Sequence, residues 1–175
     1  VAGNVAPTST NTGAVSLLIP LGPTVTNVTS TTPNGFYKQG DIIVIQVEFS
    51  EIVNVIGIPV LTLETGTTDQ AVTFFSGSGS TTLVFNYTVQ SGDTNSKLDY
   101  LATTALSVGS GSIKNSIGTN AVLILPIPNN TGSLGANKSI AIDTTVPTIT
   151  SVSSSTANGT YKAGDFIQIT VNFNE

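Results

Sequence analysis

The sequence predicts an all-β chain folded as an antiparallel sandwich, and three observations predict it. Apolar residues fall in short alternating runs, separated by clusters of Gly, Asn, Ser and Thr. No segment carries a helical period. A stretch of 29 residues returns later in the chain with its alternation intact.

That repeat organises everything else. Residues 23–51 read PTVTNVTSTTPNGFYKQGDIIVIQVEFSE, and residues 147–175 read PTITSVSSSTANGTYKAGDFIQITVNFNE. The offset is 124 throughout, without a gap, and 17 of the 29 positions are identical. Residues 23–146 are therefore expected to form one full unit, and 147–175 the first two strands of a second. The segment 1–22 is expected to be the tail of a preceding unit or a linker strand.

The two copies report which face is inside. After Gly40, one alternating set is Ile43, Ile45, Val47 and Phe49; its counterparts Ile167, Ile169, Val171 and Phe173 are identical. The other set, Ile42, Val44, Gln46, Glu48 and Ser50, differs from its counterparts at every position. A period of two with one face fixed and one free describes a half-buried strand, and the fixed face is the core. Asn34-Gly35 and Asn158-Gly159 supply turn chemistry ahead of that strand.

The remaining elements follow in order. Strands are expected near 24–31, 41–50, 58–64, 70–75, 81–90, 121–125 and 138–143. Ser112-Ile113-Lys114 is a candidate short strand in the less regular stretch 101–118. Seven strands in a unit of this size predict an Ig-like β-sandwich with Greek-key connections. Such a unit buries roughly two-thirds of its unfolded surface and can fold without disulfides.

Composition excludes much chemistry. The chain has no His, Cys, Met or Trp, and all five basic residues are Lys. A Ser-His-Asp triad, a Cys nucleophile and a His or Cys zinc site cannot be built. A net charge of −5 without Arg gives no footprint for nucleic acid. No apolar run approaches the ~20 residues of a membrane-spanning helix. The absence of Met leads us to expect a fragment or a processed product. Five Asn-x-Ser/Thr sequons occur, at Asn27, Asn86, Asn129, Asn137 and Asn158. Fifteen Asn among 47 Ser or Thr in 175 residues give about four by chance, so they carry no signal.

The run DTTVPTITSVSSSTANGTYKAGDFIQITVNFNE resembles the opening of the tandem Ig-like repeats of large bacterial cell-surface and adhesin proteins. TLVFNYTVQSGD, LDY and GSLGANKSIAID resemble later parts of the same repeat, so the resemblance spans 23–175. It implies secreted modules that act as stalk or scaffold, often rigidified by calcium at the junctions, with no enzyme activity.

The acidic residues are the candidate site. Alternating strand directions bring Asp41, Asp93, Asp99 and Asp143 to one end of the unit, and Glu175 faces them from the next. Calcium takes six to eight oxygen ligands, and clustered carboxylates suit it. The preceding junction has Ile19 where this one has Asp143, and only Glu51 faces it. Paired carboxylates for sugar hydrolysis need aromatic platforms, and Tyr37, Tyr87 and Phe49 fall at core or turn positions. Lys–Asn isopeptide bonds need an inward lysine, and none of Lys38, Lys97, Lys114 and Lys138 sits clearly on an inward face.

The expected function is structural: a spacer link in an extracellular, cell-surface chain of Ig-like modules, partnered by neighbouring repeats or other copies of the chain. Two alternatives belong to other classes. One is a subunit of a filament or surface layer assembled by strand pairing. The other is a ligand-binding or carbohydrate-binding adhesin domain.

Overall fold

A computed structural model describes residues 21–175. The expected tail or linker strand thus lies outside the described residues but for its last two positions. The described chain is nearly all β, and its sheets are antiparallel except for one parallel pair.

The central strands carry the alternation read from the sequence. Strand β1 (Val25–Ser30) pairs with β3 (Ile42–Ile56), and β3 pairs with β6 (Ser80–Thr88). Ile43, Ile45 and Val47 are fully buried and Phe49 nearly so. Across from them, Leu83, Phe85 and Tyr87 of β6 are buried as well. The outward Gln46 and Glu48 are half-buried, and the Asn27 amide donates to the Glu48 carboxylate at 3.1 Å.

β3 runs six residues past the expected end at 50. A register break between Glu48 and Val53 leaves its second half joined to β6 at Val53 alone, opposite Ser80. That half instead takes β10 (Ser112–Lys114) as partner, with Ile113 opposite Val55. The sheet then curls. β5 (Gln70–Ser76) meets β6 only at Phe74 and Ser76, where the Phe74 and Phe85 rings stack edge-on at 6.2 Å. Its first half belongs to β4 (Val60–Glu64), which also carries β8 (Asp99–Tyr100) and β9 (Leu106–Ser107). The apolar core is enclosed within this curl, and Leu61, Leu63, Leu98 and Leu134 are fully buried in it.

Two expectations change. The stretch near 121–125 is no strand; it makes isolated bridges, Thr24 with Val122 and Lys114 with Asn120. Pro126 and Pro128 follow at once, and a residue without an N–H cannot extend a ladder. A single helical turn, α1 (Leu134–Asn137), also appears, with the Ser133 hydroxyl accepting the Ala136 N–H at 3.1 Å. One turn is too short to leave a helical period in the sequence.

A smaller sheet closes one end of the unit. β11 (Ile140–Asp143) lies between β2 (Gly35–Tyr37), to which it is parallel, and β7 (Thr94–Asn95), to which it is antiparallel.

Beyond Pro147, β12 (Ile149–Ser154) and β13 (Ile169–Phe173) form a two-stranded sheet. Each of its residue pairs is a β1–β3 pair displaced by 124, including the register break after the first pair. Side-chain bonds return too. The Ser30 hydroxyl donates to the Val44 carbonyl at 2.6 Å, and Ser154 to Gln168 at 2.7 Å. Thr32 accepts the Val44 N–H as Thr156 accepts that of Gln168. The inner faces differ in surroundings alone. Ile167, Ile169 and Val171 are 48%, 65% and 43% exposed, because no third strand lies against them among the described residues.

Candidate functional site

The end of the unit built from β2, β11 and β7 holds two of the candidate acids, Asp41 and Asp143, on one trough. Asn34 and Gly35 at the start of β2 make it possible: the Gly35 N–H donates to the Ser139 carbonyl at 3.0 Å, and the Asn34 side chain accepts the Ser139 N–H at 3.0 Å. This pair of hydrogen bonds locks β2 alongside β11. The expected turn comes after β2 instead, at Lys38–Asp41, where Gly40 adopts φ +89, a left-handed backbone that favours glycine. Gly164 repeats it at φ +96.

The five acids have unlike surroundings. Asp41 sits half-buried in that turn and accepts the Lys38 N–H at 2.9 Å, as Asp165 accepts that of Lys162. Asp143 is exposed at the end of β11. Its carboxylate accepts the Thr145 hydroxyl at 2.5 Å and the Thr145 N–H at 3.0 Å. Those bonds, the hydroxyl first, hold its pKa below the usual carboxylate range. Glu175 reaches the same hydroxyl at 2.9 Å. A hydroxyl has one proton, so Thr145 serves one of these two carboxylates at a time.

Asp93 is buried and turned inward. It accepts the Tyr87 hydroxyl at 2.5 Å, the Gln90 N–H at 2.8 Å and the Gln70 amide at 2.9 Å. Burial, then the Asp93 hydrogen bond and charge, push the Tyr87 phenol far above its ordinary range. The Asp93 carbonyl accepts from the Thr144 hydroxyl at 2.8 Å, which in turn accepts the Gly92 N–H at 3.0 Å. Asp93 thus braces the loop that holds the linker. Asp99 is buried elsewhere, opposite Glu64 across β4, where it accepts the Tyr100 and Asn129 N–H groups. Burial and the Asp99 charge raise the Tyr100 phenol, which donates to the Pro126 carbonyl at 2.5 Å.

The fold therefore brings Asp143 and Glu175 to one hydroxyl, sets Asp41 beside the same surface trough as Asp143, and directs Asp93 and Asp99 to protein donors. Among the described residues, no three acidic side chains come together as a ready-made metal cage. Glu51, the acid expected to face the preceding junction, accepts from Asn115 at 3.3 Å.

The aromatic residues weighed from sequence are occupied. Phe49 and Tyr87 are buried, and the Tyr37 hydroxyl donates to the Pro33 carbonyl at 2.7 Å. Phe36 was not singled out, yet it is 86% exposed on the outer face of β2. Two open troughs flank it. One, of 440 Å³, is lined by Tyr37, Lys38, Asp41 and Asp143 as well as Phe36. The other, of 360 Å³, runs past Thr94, Ser96, Ala141 and Thr145 and shares both Phe36 and Asp143 with the first. A signal was present in the repeat: within matching Asn-Gly-x-Tyr-Lys runs, position 36 is Phe and its counterpart is Thr160.

No family model, curated protein or solved structure matches this chain.

Proposed function

We infer that the chain is a non-enzymatic structural module of an extracellular protein, a spacer link in a tandem series of Ig-like sandwiches. One observation carries this reading. The β1–β3 arrangement recurs in β12–β13 with the same register, the same break and the same side-chain bonds, just past the short segment Asp143–Pro147. A sequence that builds the same two-strand framework twice, 124 residues apart, supports a tandem series of such units. The bonds from Thr144 and Thr145 to the loop at 92–93, to Asp143 and to Glu175 would hold the angle between them.

Calcium belongs to this reading: Asp143 and Glu175 would hold it, with the Thr145 hydroxyl as a neutral oxygen, and it would stiffen the junction by neutralising their charge. Asp93 and Asp99 are taken by protein donors and would not be among its ligands. Calcium would stabilise by its binding to the folded state, about 2.7 kcal/mol at a hundredfold excess over Kd. Melting curves in calcium and in chelator test it, and identical curves would remove calcium from the reading.

The spacer reading is tested on intact cells with an antibody raised against residues 23–146. Labelling without permeabilisation is expected; labelling only after permeabilisation would overturn an extracellular role. A second reading, assembly through strand pairing, is favoured by the two-stranded β12–β13 sheet, whose outer strand edges have no partner among the described residues and whose inner face is exposed. Sedimentation that depends on concentration, and that returns to monomer on Val171→Lys, would favour it over the simple spacer.

A further inference from the structure

Phe36 is an aromatic ring that the fold itself does not require. Its side chain is 86% exposed, and the equivalent place in the second copy holds Thr160 while the neighbouring bonds are kept. An isolated exposed apolar residue needs no explanation. This one differs in its surroundings: it lines two troughs of mixed polar and apolar surface, 440 and 360 Å³, and Asp143 lines both.

We propose that the outer face of β2, β11 and β7 binds a neutral pyranose chain, with Phe36 as the stacking platform and one sugar unit lodged in each trough. The argument is chemical. A pyranose presents C–H groups, apolar and slightly positive, on its flat face, and hydroxyls around its rim. The negative face of an aromatic ring attracts the first. Carboxylates, hydroxyls and amines meet the second as hydrogen-bond partners. Here the rim partners are Lys38, Asp41 and Asp143 on one side and Thr94, Ser96 and Thr145 on the other. Only one Asp143 carboxylate oxygen takes the two Thr145 bonds, and Asp41 uses one oxygen on Lys38, so each keeps an acceptor for a sugar hydroxyl. Two carboxylates against one lysine, on a chain of net charge −5, disfavour uronates, sulfated sugars and other anionic glycans.

The test is a titration of the 1–175 chain, followed by ¹H–¹⁵N spectra, against glucose, mannose and N-acetylglucosamine hexaoses, with polygalacturonate as the anionic probe. A neutral hexaose is expected to shift the amides of Phe36, Thr94, Ser96, Ala141 and Asp143, and polygalacturonate to leave them in place. Phe36→Thr should weaken that binding at least tenfold without moving the melting temperature, because the ring is exposed. Asp143→Asn should weaken it too, and provides an independent variant should Phe36→Thr disturb the local sheet. The proposal is overturned if none of the neutral hexaoses moves these amides, if both variants bind as the parent does, or if the anionic polymer binds better. It is also overturned if Phe36→Thr changes the sedimentation of the sugar-free chain, which would make the ring a contact with another copy. These outcomes leave the spacer reading standing, since that reading rests on the repeat and not on Phe36.

Discussion

Asp93→Ala separates a structural acid from a calcium ligand. In the folded chain the Asp93 carboxylate receives the Tyr87 hydroxyl, the Gln90 N–H and the Gln70 amide. Truncation orphans all three. Gln70 is half-buried and Gln90 exposed, so water can reach both, but the buried Tyr87 hydroxyl faces the space the carboxylate leaves. An orphaned buried donor costs about 1–3 kcal/mol, and the lost bonds to Gln90 and Gln70 bring the loss to the upper part of that range, about 3 kcal/mol. Asp93→Asn should be milder. Its oxygen can keep the Tyr87 and Gln90 bonds, and Gln70 can flip its amide to meet the new NH₂. Two charge-assisted bonds become neutral ones at roughly half strength, a loss of about 1–2 kcal/mol. The assay is urea unfolding of the 1–175 chain, in calcium and in chelator, with slopes checked for equality. The expected order is parent, then Asn, then Ala, with the same gaps in both buffers. A loss confined to calcium buffer would show that Asp93 acts as a ligand and refute the inward assignment. An Ala variant within 0.5 kcal/mol of the parent, on the order of surface substitutions, would refute the hydrogen-bond argument itself.

Phe49→Ala should cost about 3–5 kcal/mol by urea unfolding, whereas its repeat counterpart Phe173→Ala should cost almost nothing, since Phe173 is 53% exposed and Phe49 only 4%. Asp143 should titrate below the usual value of about 3.9 by carbon-detected NMR, and Thr145→Val should return it towards that value. Because its folded value is the lower one, its contribution to stability is present above the ordinary carboxylate pKa and disappears as pH falls through the depressed one. Limited proteolysis should cut first within 155–168, the exposed connection between β12 and β13, and leave a resistant core over 23–146 recognisable by mass.

The sequence by itself determined the all-β class, the 124-residue repeat and the inward face of β3. Each is a local or self-comparing property: alternation is written in consecutive residues, and a second copy displays which positions are held. Ile43, Ile45, Val47 and Phe49 were legible for that reason; Asn34-Gly35, expected as a turn, instead opens β2, and the turn before β3 falls at Lys38–Asp41. Where strands end, how they pair and which way acids point depended on partners far away in the chain. β3 extends to Ile56 because β10, some 57 residues on, supplies an edge for it. The stretch near 121–125 has the alternation of a strand but no ladder, since its neighbours offer only isolated bridges. Five acids could be assigned to loops from the sequence, yet only the tertiary structure gave Asp93 the Tyr87 hydroxyl and gave Asp99 the Asn129 N–H, 30 residues distant. Phe36 shows the same division. Its type and its mismatch with Thr160 are sequence facts. Its place on two troughs required β11 to lie parallel beside β2, a pairing between residues over a hundred positions apart that no local pattern encodes.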